Sequence, residues 1–170
     1  MHWCILKDKG TKVTSKWINR VPEDTVTKDD VIIMRDIPII TDKKVKSNRP
    51  DITIHYILNR TCSFIDIALL VCMNVVRKEV EKIVKYRDLE IETKKYWNLS
   101  NVRTIPVVIG ALGTVYGGIT EYIKTISPKI DFRVLQKTAL LGTAHILRNF
   151  LTKDEKIGQN KSPVPILMEI

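Results

Sequence analysis

Cysteine is scarce in this chain of 170 residues: Cys4, Cys62 and Cys72 are an odd number with no CxxC spacing. That argues against both a disulfide framework and a four-cysteine zinc site. Long hydrophobic runs are missing too, and no apolar stretch approaches the ~18 residues of a membrane-spanning helix. The start, MHWCILKDKG, has neither a long apolar segment nor a small-residue cleavage site, so secretion is not expected. There is no internal repeat and no low-complexity tract. Gly110-Ala-Leu-Gly113-Thr does not match GxxxxGK(S/T); it reads as a strand-to-helix turn rather than a phosphate-cradling loop. His2, His55 and His145 lie in unrelated places and read as structural. The cysteines lack a basic, histidine-bearing neighbourhood, which leaves little support for thiol catalysis.

What is present has the composition of a folded domain, 44% apolar and 28% charged. A chain of this length buries about 70% of its extended surface without staples. Lys and Arg outnumber Asp and Glu by 28 to 19, a net charge of +9 that makes a polyanionic partner the first expectation. The excess is uneven: +4 over residues 1–50, +1 over 51–100 and +4 over 101–170. Its densest stretch is Lys43, Lys44, Lys46 and Arg49, with no acid among them. These four are candidate phosphate contacts, although a solvated turn explains them equally well. The expectation is an intracellular, basic, single-domain protein.

Patterning predicts the elements. The first thirty residues are weakly patterned. Val31–Met34 is a short β-branched run, and Ile37-Pro38-Ile39-Ile40 reads as an edge strand or strand end. Asp51–Ile57 alternates, with Ile52, Ile54 and Tyr56 on one side and Asp51, Thr53 and His55 on the other. Asn59-Arg60 makes a turn into Ser63–Leu70, apolar on both faces and so expected to be central. From Met73 to Asn98 the period becomes helical. Val76, Val80, Ile83 and Val84 are expected to face inward, with Lys78, Glu81 and Lys85 pointing away. Thr104–Ile109 reads as a further buried strand. Helices follow at about 117–126 and 131–151, the last with Leu135, Ala139, Ile146, Leu147 and Phe150 as an apolar stripe and Gly142 permitting close approach. Residues 152–170 read as a flexible tail. The order implies an α/β (α+β) protein with a central mixed sheet flanked by helices.

Asp66 is the most informative residue, because its segment otherwise belongs in a core. A carboxylate there is costly unless paired, hydrogen-bonded or bound to a metal. Pairing with a lysine or capping a turn is one reading; metal ligation is the other. A hairpin turning near Asn59 brings Asp51 to the same end as Asp66. Alone, Asp51 after Arg49-Pro50 is often only a turn residue. Two converging carboxylates suit Mg²⁺, which takes one or two carboxylates and keeps waters or phosphate oxygens. Such a metal activates water and stabilises charge on a phosphodiester, and a nearby lysine helps. Lys82, Tyr86 and Leu89 fall at i, i+4 and i+7, which favours Lys82 over Lys85 as the inward lysine; without the carboxylates both would read as a solvated face.

Five stretches in order carry a resemblance: Arg49-Pro-Asp-Ile52, Ile65-Asp-Ile-Ala68, Lys78-Glu-Val-Glu-Lys-Ile-Val-Lys-Tyr86, Ile105-Pro-Val-Val-Ile-Gly-Ala-Leu-Gly-Thr-Val115, and Leu135-Gln-Lys-Thr-Ala-Leu-Leu-Gly-Thr-Ala-His-Ile-Leu-Arg148. With His2-Trp3 and Lys16-Trp17, the chain resembles the C-terminal restriction-like endonuclease domain of non-LTR retrotransposon polyproteins over roughly residues 2–151. The resemblance implies a PD-(D/E)XK-type nuclease fold that nicks target DNA, using Mg²⁺ or Mn²⁺, to prime reverse transcription. It implies Asp51 and Asp66 as metal ligands and catalytic residues. Ala68 stands where the simplest motif has lysine, and Lys82 and Lys85 match the lysines the family carries on the following helix. Leu69-Leu-Val-Cys-Met73 departs from the family's Pro-containing acidic turn.

Under this resemblance residues 1–30 are the remnant of a linker after a missing zinc knuckle, 31–151 the endonuclease-like domain, and the whole a fragment without its reverse transcriptase. Implied partners are DNA, held by Lys43, Lys44, Lys46 and Arg49, and element RNA through the missing upstream domains. A nuclear location follows, with no membrane partner. The alternatives are an inactive DNA-binding relic of a mobile element and a non-enzymatic interaction module.

Overall fold

Alternation and β-branching determine where the strands form. The computed structural model describes residues 1–13, 23–70, 74–115 and 118–158. Strand β1 (Thr25–Lys28) and strand β2 (Val31–Arg35) form a hairpin about Asp29-Asp30. Asp29 sits at φ +52°, a left-handed conformation that aspartate tolerates. Strand β3 (Ile52–Tyr56) pairs antiparallel with β2 and with β4 (Thr61–Leu70). Strand β5 (Asn101–Gly110) runs parallel to β4, so a tight turn cannot join them. The crossover is made by helices α2 (Val75–Lys85) and α3 (Arg87–Tyr96). The sheet has the order β1-β2-β3-β4-β5, and the protein is of the α+β class with a mixed sheet and flanking helices.

Each sheet face has its own core. On one, Ile52, Ile54, Ile65, Ile105, Val107 and Ile109 meet helix α1 (His2–Asp8), α4 (Ile119–Ile126) and the start of α5 (Phe132–Gly158). On the other, Cys62, Phe64 and Val102 meet Tyr86 and Leu89 from the crossover, together with Ile39 and Leu99. Strand β5 lies at the sheet edge yet is buried at Val107, Val108 and Ile109, because helices cover both of its faces. The N-terminal stretch, weakly patterned in sequence, supplies α1, whose Ile5 and Leu6 are fully buried, and β1. Among the described residues, no helix is long and apolar enough to cross a membrane.

Several expected details differ. No strand forms at Ile37–Ile40; Ile39 is buried in a loop, its N–H donating to the Asn48 carbonyl at 2.8 Å. The helix expected over 73–98 is two helices, broken at Tyr86 (φ −103°, ψ 7°), where the chain leaves helical geometry and buries the tyrosine ring. The valine stripe of α2 faces out: Val76, Val80 and Val84 are 65%, 54% and 66% exposed. On α5 only Leu135 and Ala139 of the expected stripe are buried, whereas Ile146, Leu147 and Phe150 are exposed. A side chain at Gly142 would meet nothing among the described residues, so none of their elements approaches it closely. Helix α5 continues through 152–158, where a tail was expected; 159–170 lie outside the described residues.

Candidate active site

Proline ends the basic loop and starts the site. Pro50 leads directly into β3, and the pairing of Ile52 with Ile65, continued by one residue, sets Asp51 opposite Asp66. Residues directly opposite on antiparallel strands share a face, with Cβ atoms about 4.5–5.5 Å apart. Asp51 accepts the Ile67 backbone N–H through Oδ2 at 2.6 Å, which ties the carboxylate to the strand that carries Asp66.

Asp66 is 2% exposed and is met by three donors. Lys82 Nζ forms an ion pair with Oδ2. Lys85 Nζ lies 3.2 Å from Oδ1, and the Tyr86 hydroxyl 2.7 Å from the same oxygen. All three come from the end of α2. The inward side of that helix is Val75, Lys78, Glu79, Lys82 and Ile83, followed by Tyr86, a spacing of three and four residues with polar groups in the middle. Lys85 is more exposed and reaches around to Asp66; its ammonium also donates to the Tyr86 hydroxyl at 2.8 Å and sits 4.5 Å from the ring centroid.

The two aspartates titrate in opposite directions. Burial pushes Asp66 up, but hydrogen bonds from Lys82 and Tyr86 and the charges of Lys82 and Lys85 outweigh it, leaving Asp66 below the usual carboxylate range. Burial pushes Asp51 up, and although the Ile67 N–H opposes this, the Asp66 charge adds to it; Asp51 stays above its ordinary value. Tyr86 is also raised, by burial and by donating to Asp66. Together the two carboxylates and two ammoniums form an electrically balanced group.

The structure therefore brings Asp51, Asp66, Lys82 and Lys85 together. Lys43, Lys44 and Lys46 lie apart from them, on a loop against α3 that forms a depression with Asp88, Ile91 and Glu92; Lys43 is 3.7 Å from Glu92. Arg49 is committed to Asp36, with Nε 2.8 Å from Oδ1, and what it offers the site is its backbone carbonyl, 3.0 Å from the Tyr86 hydroxyl. Two candidates had no assigned role in sequence. Tyr86 stands four residues after Lys82, a spacing that signals a shared face. Glu79, raised by partial burial, faces inward where the expected pattern pointed the valines.

The cysteines and histidines given no chemical role in sequence have these surroundings. Burial pushes the Cys62 thiol up to about 12, which makes it a poor nucleophile. Cys72 lies outside the described residues. His55 stacks on Trp97 with ring centroids 5.1 Å apart, and His145 contacts Asn149 on α5.

Among the described residues there is no group of three or more His, Cys, Asp or Glu side chains suited to a metal. The donor set of Asp51 and Asp66 fits the sparse coordination of Mg²⁺, which takes its remaining ligands from water and phosphate. Two adjacent carboxylates, one of them raised by burial and further by the other's charge, are an arrangement that a cation between them would relieve. No family model, curated protein or solved structure matches the chain.

Proposed function

We propose that the protein is a metal-dependent DNA endonuclease domain with a restriction-endonuclease-like arrangement, derived from a non-LTR retrotransposon polyprotein and acting on chromosomal DNA in the nucleus. The observation that carries this reading is the meeting of Asp51 and Asp66 on adjacent strands with Lys82 and Lys85 from the next helix. A pair of acids with a lysine suits metal-assisted phosphodiester cleavage. The acids hold Mg²⁺ or Mn²⁺, which when bound supplies an activated water and charge neutralisation on the phosphate. Lys82 or Lys85 is placed to stabilise the charge that grows on the phosphoryl oxygens. The balanced charge of the four side chains supports coupled binding, since an arriving phosphate restores the negative charge that draws a cation in. Lys43, Lys44 and Lys46, on the loop that leads into Asp51, supply phosphate contacts that position the duplex without reading its sequence. Element RNA would be held by upstream domains of the polyprotein.

The test is nicking of supercoiled plasmid in Mg²⁺ or Mn²⁺ by the wild type, Asp51→Asn and Asp66→Asn, with folding followed by circular dichroism. The wild type is expected to nick and both variants to fall to background. If all three behave alike, the endonuclease reading is wrong.

One observation favours a second reading, an inactive DNA-binding relic: both oxygens of Asp66 are already engaged by ammoniums. A relic would bind duplex DNA with a steep salt dependence and nick nothing. Replacing Lys43, Lys44 and Lys46 by alanine is expected to shrink the slope of log K against log salt by about 0.9 for each phosphate left without its lysine. Absence of binding at low salt would remove both nucleic-acid readings and leave an interaction module.

A further inference from the structure

Resting on the metal reading of Asp51 and Asp66, we infer that Tyr86 is the positioning residue of this centre: its hydroxyl holds the two carboxylates in register for a divalent cation. The ring is fully buried, packed 6.4 Å from Phe64, in the core between the sheet and the crossover. A phenol at the centre of a core is costly unless its hydroxyl is satisfied. This one is satisfied entirely by the site. Its proton lies between Asp66 Oδ1 at 2.7 Å and the Arg49 carbonyl at 3.0 Å, and its lone pair accepts from Lys85 at 2.8 Å.

These three partners belong to three different elements. Arg49 immediately precedes Pro50 and Asp51, Asp66 is on β4, and Lys85 ends α2. One oxygen atom thus joins the backbone that presents the first acid to the side chain of the second. The break between α2 and α3 falls at Tyr86, one turn beyond Lys82 on the same side of α2.

Charge separates the role of Tyr86 from that of its neighbours. Of the three donors on Asp66, Lys82 and Lys85 are cations and repel an arriving cation; the hydroxyl is neutral and can keep its bond. Removing Lys82 therefore frees a carboxylate oxygen, whereas removing the hydroxyl loosens the carboxylate itself. The two substitutions should shift metal affinity in opposite directions. A purely structural tyrosine would not produce that pattern.

The experiment is Mn²⁺ binding to the full chain without DNA, followed by the electron paramagnetic resonance of free Mn²⁺. It compares the wild type with Tyr86→Phe, Lys82→Gln and the packing control Phe64→Leu. Tyr86→Phe keeps the ring and its burial and is expected to weaken Mn²⁺ binding about tenfold or more, the usual cost of losing a hydrogen-bond partner of a ligand. Lys82→Gln is expected to bind Mn²⁺ more tightly than the wild type, and Phe64→Leu to bind it equally while melting lower. Tyr86→Phe binding within twofold of the wild type overturns the inference, and so does Phe64→Leu losing as much affinity as Tyr86→Phe. A wild type that binds no Mn²⁺ at millimolar concentration and nicks nothing overturns the metal reading as well, which distinguishes the two failures.

Discussion

Helices α2 and α4 pack on opposite faces of one sheet and distribute their side chains in opposite senses. Helix α4 is ordinary: Ile119, Ile123 and Ile126 are buried, while Glu121 and Lys124 pair with each other at the surface. Helix α2 buries Val75 and turns Lys82 onto Asp66, leaving Val76, Val80 and Val84 in solvent. Both helices are amphipathic, so the difference lies in what the sheet offers them. Beneath α4 are Ile105, Val107 and Ile109, an apolar surface that isoleucines can cover. Beneath the end of α2 is a buried carboxylate, and an apolar side chain over it would leave that charge uncompensated. A helix that turns its polar side inward marks a polar demand in the sheet, and here that demand is Asp66.

The apolar contact of α4 carries the largest expected effect. Ile123→Ala in α4 removes a 3% exposed side chain from the larger core. It is expected to lower unfolding free energy by about 2–5 kcal/mol in urea denaturation. A loss below about 1 kcal/mol would mean that α4 is not packed as described, and the contrast with α2 would lose its reference.

On the other side, Lys82→Gln removes one of three donors to a buried carboxylate and is expected to cost about 1.5–3 kcal/mol at neutral pH, the range for a hydrogen bond to a charged group. Its pH dependence identifies the cause. Asp66 titrates below its unfolded value, so its contribution is full above the ordinary carboxylate range and is lost as pH falls through the folded value. The gap between wild type and Lys82→Gln should therefore begin to narrow near the unfolded carboxylate pKa of about 4 and close only as pH falls through the lower folded value. Urea midpoints at pH 7 and pH 3 measure it. A gap unchanged at pH 3 would assign the loss to packing of the lysine stem rather than to Asp66.

Much of this arrangement was legible in the sequence, and the gaps have identifiable causes. The alternation of Asp51–Ile57 and the apolar run holding Asp66 identified the two strands and the acids they carry. The Lys82–Tyr86–Leu89 spacing pointed to the inward lysine. The valine stripe misled because period alone does not say which side of an amphipathic helix faces the sheet; the buried charge beneath it does, and that is a tertiary fact. Tyr86 was visible as a helical residue four positions after Lys82, but its hydroxyl contact with the Arg49 carbonyl spans 37 positions and leaves no local mark. On α5, the stripe from Leu135 to Phe150 has the right period, yet among the described residues nothing buries its side chains Ile146, Leu147 and Phe150.

The two aspartates of the site differ from each other in what their charge does to stability. Asp51 titrates above its unfolded value, so its ionised form opposes folding at neutral pH, and the opposition is relieved as pH falls through the folded value. Asp51→Asn keeps an oxygen to accept the Ile67 N–H. It is expected to leave the melting temperature at pH 7 unchanged or higher while nicking falls to background. Asp66→Asn is expected to lower both. Function and stability then separate at one acid and coincide at the other. A lower melting temperature for Asp51→Asn would show that the attraction of the Asp51 charge to Lys82 and Lys85 outweighs its burial and its repulsion by Asp66.

The smallest expected effect tests the exposed side of α2. Val80→Ala removes an outward side chain, so little transfer free energy is lost, and surface substitutions of this kind usually stay within about 0.5 kcal/mol. Alanine also has the higher helix propensity, because a β-branched side chain loses rotamer freedom against the preceding turn. The sign should therefore be neutral to slightly stabilising at each of Val76, Val80 and Val84, and the triple variant should melt at or above the wild type. The three sites lie one turn apart on one face, where side chains four residues apart are neighbours, so the triple variant is compared with the wild type directly rather than with a sum of single effects. A triple variant destabilised by more than about 2 kcal/mol would place the valines against another surface in solution. In that event α2 would bury both of its sides, and its contrast with α4 would reflect a second contact rather than the carboxylate beneath it.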